Sequence, residues 1–560
     1  MTSPRLGGAA LAQALFLPLC CVVAWGVASA SAEYVHDDRP AILNNANVTW
    51  PPPVAQIFRT SYFGPGAAFA HMPLTRPLVT LSFAVEEGLG WTSARARHRV
   101  NLALYALVCL LVGTLMARLA AAWAGAGRPE PQAWLGASAL IFAAHPVHAS
   151  VVMSAAYRPE LMALALVLLA SHLWLQVVGG ADHRAWRSVA CAAGFGLALL
   201  CKESAICALA PWLVAAWLRP GGLRRGAVPL VACAVLALGL LIWRHLVLGG
   251  VLVAAIPWAD NPLATVATTT RLMAALEQVW LASTHALVPL TVLHAPDWSF
   301  DALPLAAVPG WRTGAGAAIV IAAAAATLWG LTGSRRRGRP GLMALALVWG
   351  AAFYLPVSNG LFPIPVRFAE RLLFAPSVAA CALLAWPLVA IQRRLATGWG
   401  APQGVAPGPW RRWLGGCMGP AALLTAVVLL WQVAPAARAW QNDLALFQWG
   451  VAQQPRSAKM RYNLGRLLVA QRREPEALPH LQIAAALRPD DWDTRVTLLE
   501  AHFRLKQCAE SLALVQDMEA APRLPRLAHV ALFHWSRACS DPQRARKHAP
   551  WLRDRGHGPP

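Results

Sequence analysis

Charge is scarce in this chain. Only 13% of its 560 residues are Asp, Glu, Lys or Arg, about half the share found in soluble domains. Hydrophobic residues make up 57%, and the mean hydropathy is +0.46. That shortage excludes an ordinary soluble globule and points to a polytopic membrane protein. Acidic residues are fewer than basic ones, and the formal charge is +22. In a soluble protein such a balance would suggest a nucleic-acid partner. No RNP, zinc-finger or helix-turn-helix pattern accompanies it. Many arginines instead stand in short loops between apolar runs, where the positive-inside rule accounts for them. No nucleic-acid partner is expected. The cysteines form no CxxC or metal spacing. Nine of the eleven (Cys20, Cys21, Cys109, Cys191, Cys201, Cys207, Cys233, Cys381 and Cys417) lie in or beside apolar runs and read as small buried hydrophobes. Cys508 and Cys539 stand in the polar C-terminal region. They pair if that region lies in an oxidising compartment and are free thiols otherwise.

Apolar runs long enough to span a bilayer occupy about 9–30, 100–122, 133–152, 159–178, 227–247, 315–333, 341–357, 371–391 and 416–434. Residues 188–218 are apolar except for "CKES" in the middle. They read as two short helices with Lys202 and Glu203 at the turn, giving about eleven spans. The N-terminus, with Arg5, an apolar stretch and "ASASAE" at 28–33, looks like a cleavable signal peptide. Its apolar run suits an uncleaved anchor better. With the N-terminus in the cytoplasm, the tight basic clusters of the membrane part fall inside. These are Arg118 and Arg128; Arg184 and Arg187; Arg219, Arg224 and Arg225; "RRRGR" at 335–339; and Arg393, Arg394, Arg411 and Arg412. The outer side then holds 31–98, the 152–158 turn, the "CKES" turn, 249–314, 358–370 and everything after 434. Residues 272–293 are apolar within an outer loop and are expected to be re-entrant or interfacial.

After 434 the character changes. Pro455 recurs as Pro489, 34 residues later, and "YNLGRLL", "EAL" and "ALRPD" follow a tetratricopeptide helix-turn-helix pattern. The expected fold is all-α. A membrane domain covers 1–434, with 31–98 as its first outer loop. Tetratricopeptide-like repeats cover 435–524, and a basic tail, helical or disordered, covers 525–560. Two repeats are too few to stand alone, so they dock on the membrane domain or continue into 525–552.

Ionisable groups at a membrane edge are costly, so each is a functional candidate. Here they lie almost entirely on the expected outer side. "EYVHDDRPAILNNANV" (33–48) carries Asp37 and Asp38 just beyond the first run. Next come Arg76, then His98 and Asn101 in "RHRVNLALY", then His145 and His148 in "FAAHPVH". Tyr157, Arg158 and Glu160 follow in "AAYRPE", then Lys202 and Glu203, Arg244, and Glu370 and Arg371 in "FAERLLFAPS". Singly, each has a plain reading: a loop tip for the acidic pair, hydrogen-bonded histidines at a Pro kink, snorkelling cations, a local Glu370–Arg371 pair. Together they place carboxylates and cations on one membrane face, as transfer from a lipid-linked phosphosugar requires. A carboxylate takes the proton of the attacking hydroxyl. Cations stabilise the departing lipid phosphate, and arginine's fork matches its oxygens. On this reading Asp37 and Asp38 are catalytic, and Arg76, Arg158, Lys202 and Arg371 bind the donor phosphate. His98, His145, His148, Glu160, Glu203, Arg244 and Glu370 support them. The acidic pair is expected beside one cavity that at least two of the four cations also line.

The order of these motifs resembles a family. "YVHDDRPAILNNANV", "RPLVTLSF", "RHRVNLALY", "FAAHPVHASVV", "YRPELM", "CKESAI", "LPVSNGLFPIPVRFAERLLFAPS" and then the repeats are similar to the TMTC family of transmembrane and tetratricopeptide-repeat O-mannosyltransferases and its bacterial relatives. These belong to the C-type glycosyltransferase superfamily, and the similarity runs over about 33–520. The resemblance implies a polyprenyl- or dolichyl-phosphate sugar donor, mannose in the best-known members. It also implies an acceptor hydroxyl on the outer side and inversion at the anomeric carbon. It carries Asp37 and Asp38 over as the general-base or metal-binding position. No cofactor is otherwise implied; a divalent cation, Mg or Mn, held by that pair stays open. Two features depart from the family: the repeat array is short, and Tyr105 stands where a second His is expected after "RHRVN". The Ala- and Arg-rich, Lys-poor composition suggests a GC-rich bacterium, with the protein in the inner membrane and the repeats in the periplasm. The acceptor is expected to be Ser or Thr of a protein. A glycan or lipid acceptor is the alternative, as is a non-catalytic scaffold whose repeats recruit a partner.

Overall fold

The computed structural model describes residues 8–65, 72–123, 131–180, 185–253, 256, 260–288, 308–337, 341–397 and 420–552. Helices carry the fold, and no strand forms among the described residues. Four helices are long and apolar enough to cross a membrane: Ala94–Ala121, Ala155–Val178, Gly222–Leu248 and Trp311–Gly333. Pro131–Ala144 and Pro146–Met153, bent by 54°, make a fifth if taken together. Shorter apolar helices run at Ala14–Ser29, Ala185–Cys201, Glu203–Trp217, Leu342–Val357, Ser377–Ile391 and Leu424–Ala439. The break expected at "CKES" falls at Lys202, where the backbone is extended between Cys201 and Glu203. Of the residues expected to be re-entrant or interfacial, 272–287 fall in the helix Thr268–Leu287, which buries Ala274, Ala275, Gln278, Leu281, Ala282 and His285, and 289–293 lie outside the described residues. Val228, Val231, Val235, Leu238, Ile321, Leu328 and Trp329 are exposed on two of the long helices. Such apolar surface suits lipid.

Helix Pro131–Ala144 is the hub. Every side chain from Trp134 to Ala144 is buried. It packs against Gly8–Ser29, Ala94–Trp123, Ser377–Thr397 and Pro420–Ala439. At Gly113 a Cβ would come within 2.8 Å of the Leu135 carbonyl and 2.9 Å of Ala139 Cβ, so only glycine permits this crossing.

The hub ends at Pro146, whose ring supplies no N–H to the preceding turn. The carbonyls left open there have long-range partners. Phe142 O accepts from Tyr105 OH at 2.8 Å and lies 3.0 Å from His148 Nδ1. Ala143 O accepts from the Trp25 indole at 2.9 Å. The Tyr that departs from the family pattern thus closes a helix end. After this break the chain reverses through Ser154–Tyr157 and re-enters the bundle as Arg158–Val178.

Beyond the last apolar helix, three helix pairs follow Asp443–Gln453. Their first members begin at Ala458, Trp492 and Arg526, 34 residues apart each time. Left-handed residues close the turns at Arg472, Lys506 and Ser540, at the same interval. Ser457 and Asp491 cap the first two pairs, and Pro525 stands at that position in the third. The 34-residue unit therefore continues through 552, and the described part of the expected tail is helical. Cys508 and Cys539 form a disulfide that ties the second pair to the third.

Candidate active site

The segment after Ser29 is held as a bracket. Glu33 N donates to Gln441 O at 2.8 Å. Asp38 is fully buried. Its Oδ1 accepts from Ser154 Oγ at 2.8 Å and Ala156 N at 2.7 Å, and its Oδ2 accepts from Val35 N at 3.0 Å. Burial pushes its carboxyl up to about 6; the three donors oppose that shift, and the charge of Asp37 adds to it. Asp38 therefore fastens the first outer loop to the 154–157 reversal, with both oxygens engaged.

Asp37 is different. Its side chain is 29% exposed, Oδ1 pairs with His36 Nδ1 at 2.9 Å, and Oδ2 accepts from Tyr157 OH at 2.9 Å. Desolvation acts to raise its proton affinity, but His36, Arg371 and the Tyr157 hydroxyl together hold it well below the usual carboxylate range. The Arg371 guanidinium lies 5.1 Å from the Tyr157 ring centroid. Lys459, in the first helix pair, acts electrostatically on His36 and lies 3.3 Å from Asp260. His36, Asp37, Tyr157, Arg371 and Lys459 thus form one cluster.

The other expected cations gather elsewhere. Arg76 sits 4.9 Å over the Tyr62 ring and within electrostatic range of Glu203. Glu203 stands 3.8 Å from Arg244, whose guanidinium also donates to the Pro73 carbonyl. Lys202 pairs with Glu160. This second group is joined to the first through Tyr62, whose hydroxyl donates to Ala156 O at 2.8 Å, in the turn that Asp38 grips. Arg158 is fully buried. It meets Glu86 at 2.7 Å, Asn101 at 2.8 Å and Ser82 at 3.0 Å, with its guanidinium 4.2 Å over Phe83. Glu86 also faces Arg97 at 3.5 Å. Arg371 alone of the four phosphate candidates joins the Asp37 cluster. An apolar cavity inside the bundle, lined by Met116, Trp174, Trp212, Leu345 and Trp349, includes none of these charges.

The histidines serve as fasteners. His98 Nε2 lies 3.4 Å from Glu33 O, and His145 Nε2 lies 3.0 Å from Ala286 O. His148 Nε2 lies 2.8 Å from Ser377 Oγ. Glu370 stands 3.7 Å from His285. A divalent cation does not fit the acidic pair as built, because Asp38 already accepts three hydrogen bonds and His36 occupies Asp37. Among the described residues, no group of three or more His, Cys, Asp or Glu is placed to hold a metal.

Sequence reading passed over His36, Glu86 and Asp443. His36 N donates to Asp443 Oδ1 at 2.7 Å, and Arg39 Nε donates to Asp443 Oδ2 at 3.0 Å. Asp443 lies some 400 positions away in sequence, and nothing local marks it. Glu86 had only the "VEE" pair after an apolar turn as a signal.

No protein-family model matches the chain. Curated relatives do. The chain is 26% identical over 555 residues to the fruit fly (Drosophila melanogaster) protein O-mannosyl-transferase Tmtc3, covering 89% of this chain and 57% of that protein. It is 24% identical to mouse (Mus musculus) TMTC3 over 88% of this chain and 52% of that one, and 26% identical to mouse TMTC4 over 81% and 63%. The chain resembles the TMTC protein O-mannosyltransferases. It spans a little over half the length of these TMTC relatives. Among solved structures, ArnT from Cupriavidus metallidurans bound to undecaprenyl phosphate aligns over 95% of this chain and 88% of ArnT, at 13% identity and a TM-score of 0.35. The TMTC resemblance covers both the helical bundle and the repeats, and the Asp37 cluster lies where the two meet.

Proposed function

We propose that this protein is an inner-membrane glycosyltransferase of the C type, crossing the bilayer eleven times. It moves a sugar, mannose on our reading, from a polyprenyl-phosphate donor to a Ser or Thr hydroxyl of a protein. The reaction takes place on the outer face with inversion. The observation that carries this reading is the Asp37 cluster: a partly exposed, ionised carboxylate beside Tyr157 and Arg371 at the edge of an apolar bundle. The TMTC resemblance supports the reaction class. The Cys508–Cys539 disulfide supports an oxidising compartment for the repeats.

The acceptor oxygen attacks the anomeric carbon as the bond from that carbon to the phosphate oxygen breaks. The electron pair leaves with the lipid phosphate, and the hydroxyl proton passes to Asp37 and then to solvent. A carboxylate of low proton affinity is a weak base toward a free alcohol. It suits a late transfer, after bonding to the anomeric carbon has made the hydroxyl acidic. Tyr157 orients Asp37, and Arg371 meets charge developing on the leaving phosphate. Arg158, held by Glu86 and Asn101, positions the Tyr157 turn. Asp38 fixes the loop.

The test is transfer by the purified protein from radiolabelled polyprenyl-phosphate-mannose. Label in a protein band supports the reading. Label confined to a lipid or glycan fraction replaces the acceptor. Absence of any transfer, with the scaffold role intact, overturns it.

A further inference from the structure

A further charged site lies where residues 359–368 cross helix Thr268–Leu287. Arg367 is 1% exposed. Its Nε and Nη1 make no hydrogen bond, and no carboxylate among the described residues lies within ion-pair distance. The carboxylate that acts on it is Glu277, which itself stands 3.6 Å from Arg312; burial pulls the Arg367 guanidinium down to about 10, and Glu277 opposes the shift. A guanidinium edge buried without an acceptor is costly.

Across Asn359 from the Arg367 backbone is a second unmatched donor. Gln278 is 1% exposed, and its Nε2 has no partner. The orientation of this amide follows from its neighbours. Asn359 Oδ1 accepts from Asn261 Nδ2 at 2.8 Å and Ile364 N at 3.0 Å. Asn359 Nδ2 therefore donates, to Arg367 O at 2.9 Å and to Gln278 Oε1 at 3.3 Å. Gln278 must turn its NH2 the other way. Asn359 adopts φ +60 to make these bonds. Two fully buried asparagines thus pin the backbone of Arg367 beside Gln278, and both side chains offer donors with nothing to receive them. Donors clustered at a buried positive charge favour an anion over a neutral acceptor.

We propose that this seam binds a phosphate group through Arg367 and Gln278. Resting on the function proposed above, that group is the phosphate of the lipid-linked donor. Residues 367–371 then place two arginines along one segment: Arg367 binds the phosphate from the seam side, and Arg371, from the Asp37 cluster, meets the charge that develops on the same phosphate as it leaves.

Binding is read on the purified full-length protein as thermal stabilisation by undecaprenyl phosphate, with undecaprenol and inorganic phosphate as comparison probes. Wild type is stabilised by undecaprenyl phosphate and not by undecaprenol. Arg367→Gln weakens that binding at least tenfold. Gln278→Glu supplies the missing acceptor internally, so it raises the melting temperature without ligand and abolishes the ligand shift. A merely structural arginine would move the melting temperature without ligand but leave the ligand shift intact, so loss of that shift in both variants is the deciding readout. Equal stabilisation by inorganic phosphate alone would keep the phosphate site and overturn the lipid source. Binding unchanged in both variants, or equal binding of undecaprenol, overturns the site. Because sugar transfer is not the readout, failure here is separable from failure of the proposed reaction.

Discussion

Two adjacent carboxylates have opposite fates here, and the difference is a matter of partners. Asp38 is buried among neutral donors, so its native form holds a proton more tightly than the unfolded chain does. Its carboxyl rises from 3.8 to about 6. As pH climbs through that window the unfolded chain releases this proton first, so Asp38 lowers stability between pH 3.8 and about 6 and has no further effect above it. Asp37, depressed by His36 and Arg371, works in reverse: its contribution is present above the ordinary carboxylate value and is lost as pH falls below it. Unfolding of the detergent-solubilised protein should therefore show a decline in stability across pH 4 to 6 that Asp38→Asn removes. An identical slope in the variant contradicts the assignment. The sequence shows that a carboxylate pair stands there. It does not show which member is engaged, because two of the three donors to Asp38 come from Ser154 and Ala156, far along the chain.

The hub helix shows how an element's end can be completed from a distance. Pro146 predicts a kink from sequence alone. That Trp25, Tyr105 and His148 would serve the open carbonyls does not follow from local pattern, since their spacing is set by tertiary packing. Tyr105→Phe removes a hydroxyl donor from Phe142 O in a buried site. It should cost about 1–3 kcal/mol, seen as a lower melting temperature with helix content retained. An unchanged melting temperature means that His148 and the His145 N–H satisfy the carbonyl without the hydroxyl. Helix positions were legible because each apolar run is long and its interruptions, "CKES" among them, are polar. The repeat period was legible from Pro455 and Pro489. Its third unit was legible only as one of two alternatives, because "APRLPRLAHVALFHW" keeps the 34-residue spacing while losing most of the signature residues.

Across the whole molecule, the repeats and the site are one assembly. Asp443 opens the first helix after the membrane part and receives both His36 N and Arg39. His36, at φ +47, in turn pairs with Asp37. A strained residue persists where its surroundings hold it. Asp443→Ala should release this hold, lowering kcat for transfer while leaving undecaprenyl phosphate binding within about twofold. A loss confined to binding contradicts the coupling. The all-helical fold class was readable from hydropathy. The division of the charged residues into an Asp37–Arg371 group, an Arg76–Arg244 group and a buried Arg158 network was not, since charge pattern along a chain carries no side-chain direction.

The most direct test of the central claim is sugar transfer in membranes from radiolabelled polyprenyl-phosphate-mannose, comparing wild type with Asp37→Asn and Asp38→Asn at equal expression. The account predicts that Asp37→Asn abolishes label in the product, while Asp38→Asn reduces it in proportion to lost folded protein. Transfer unchanged in Asp37→Asn contradicts it and removes Asp37 from the reaction.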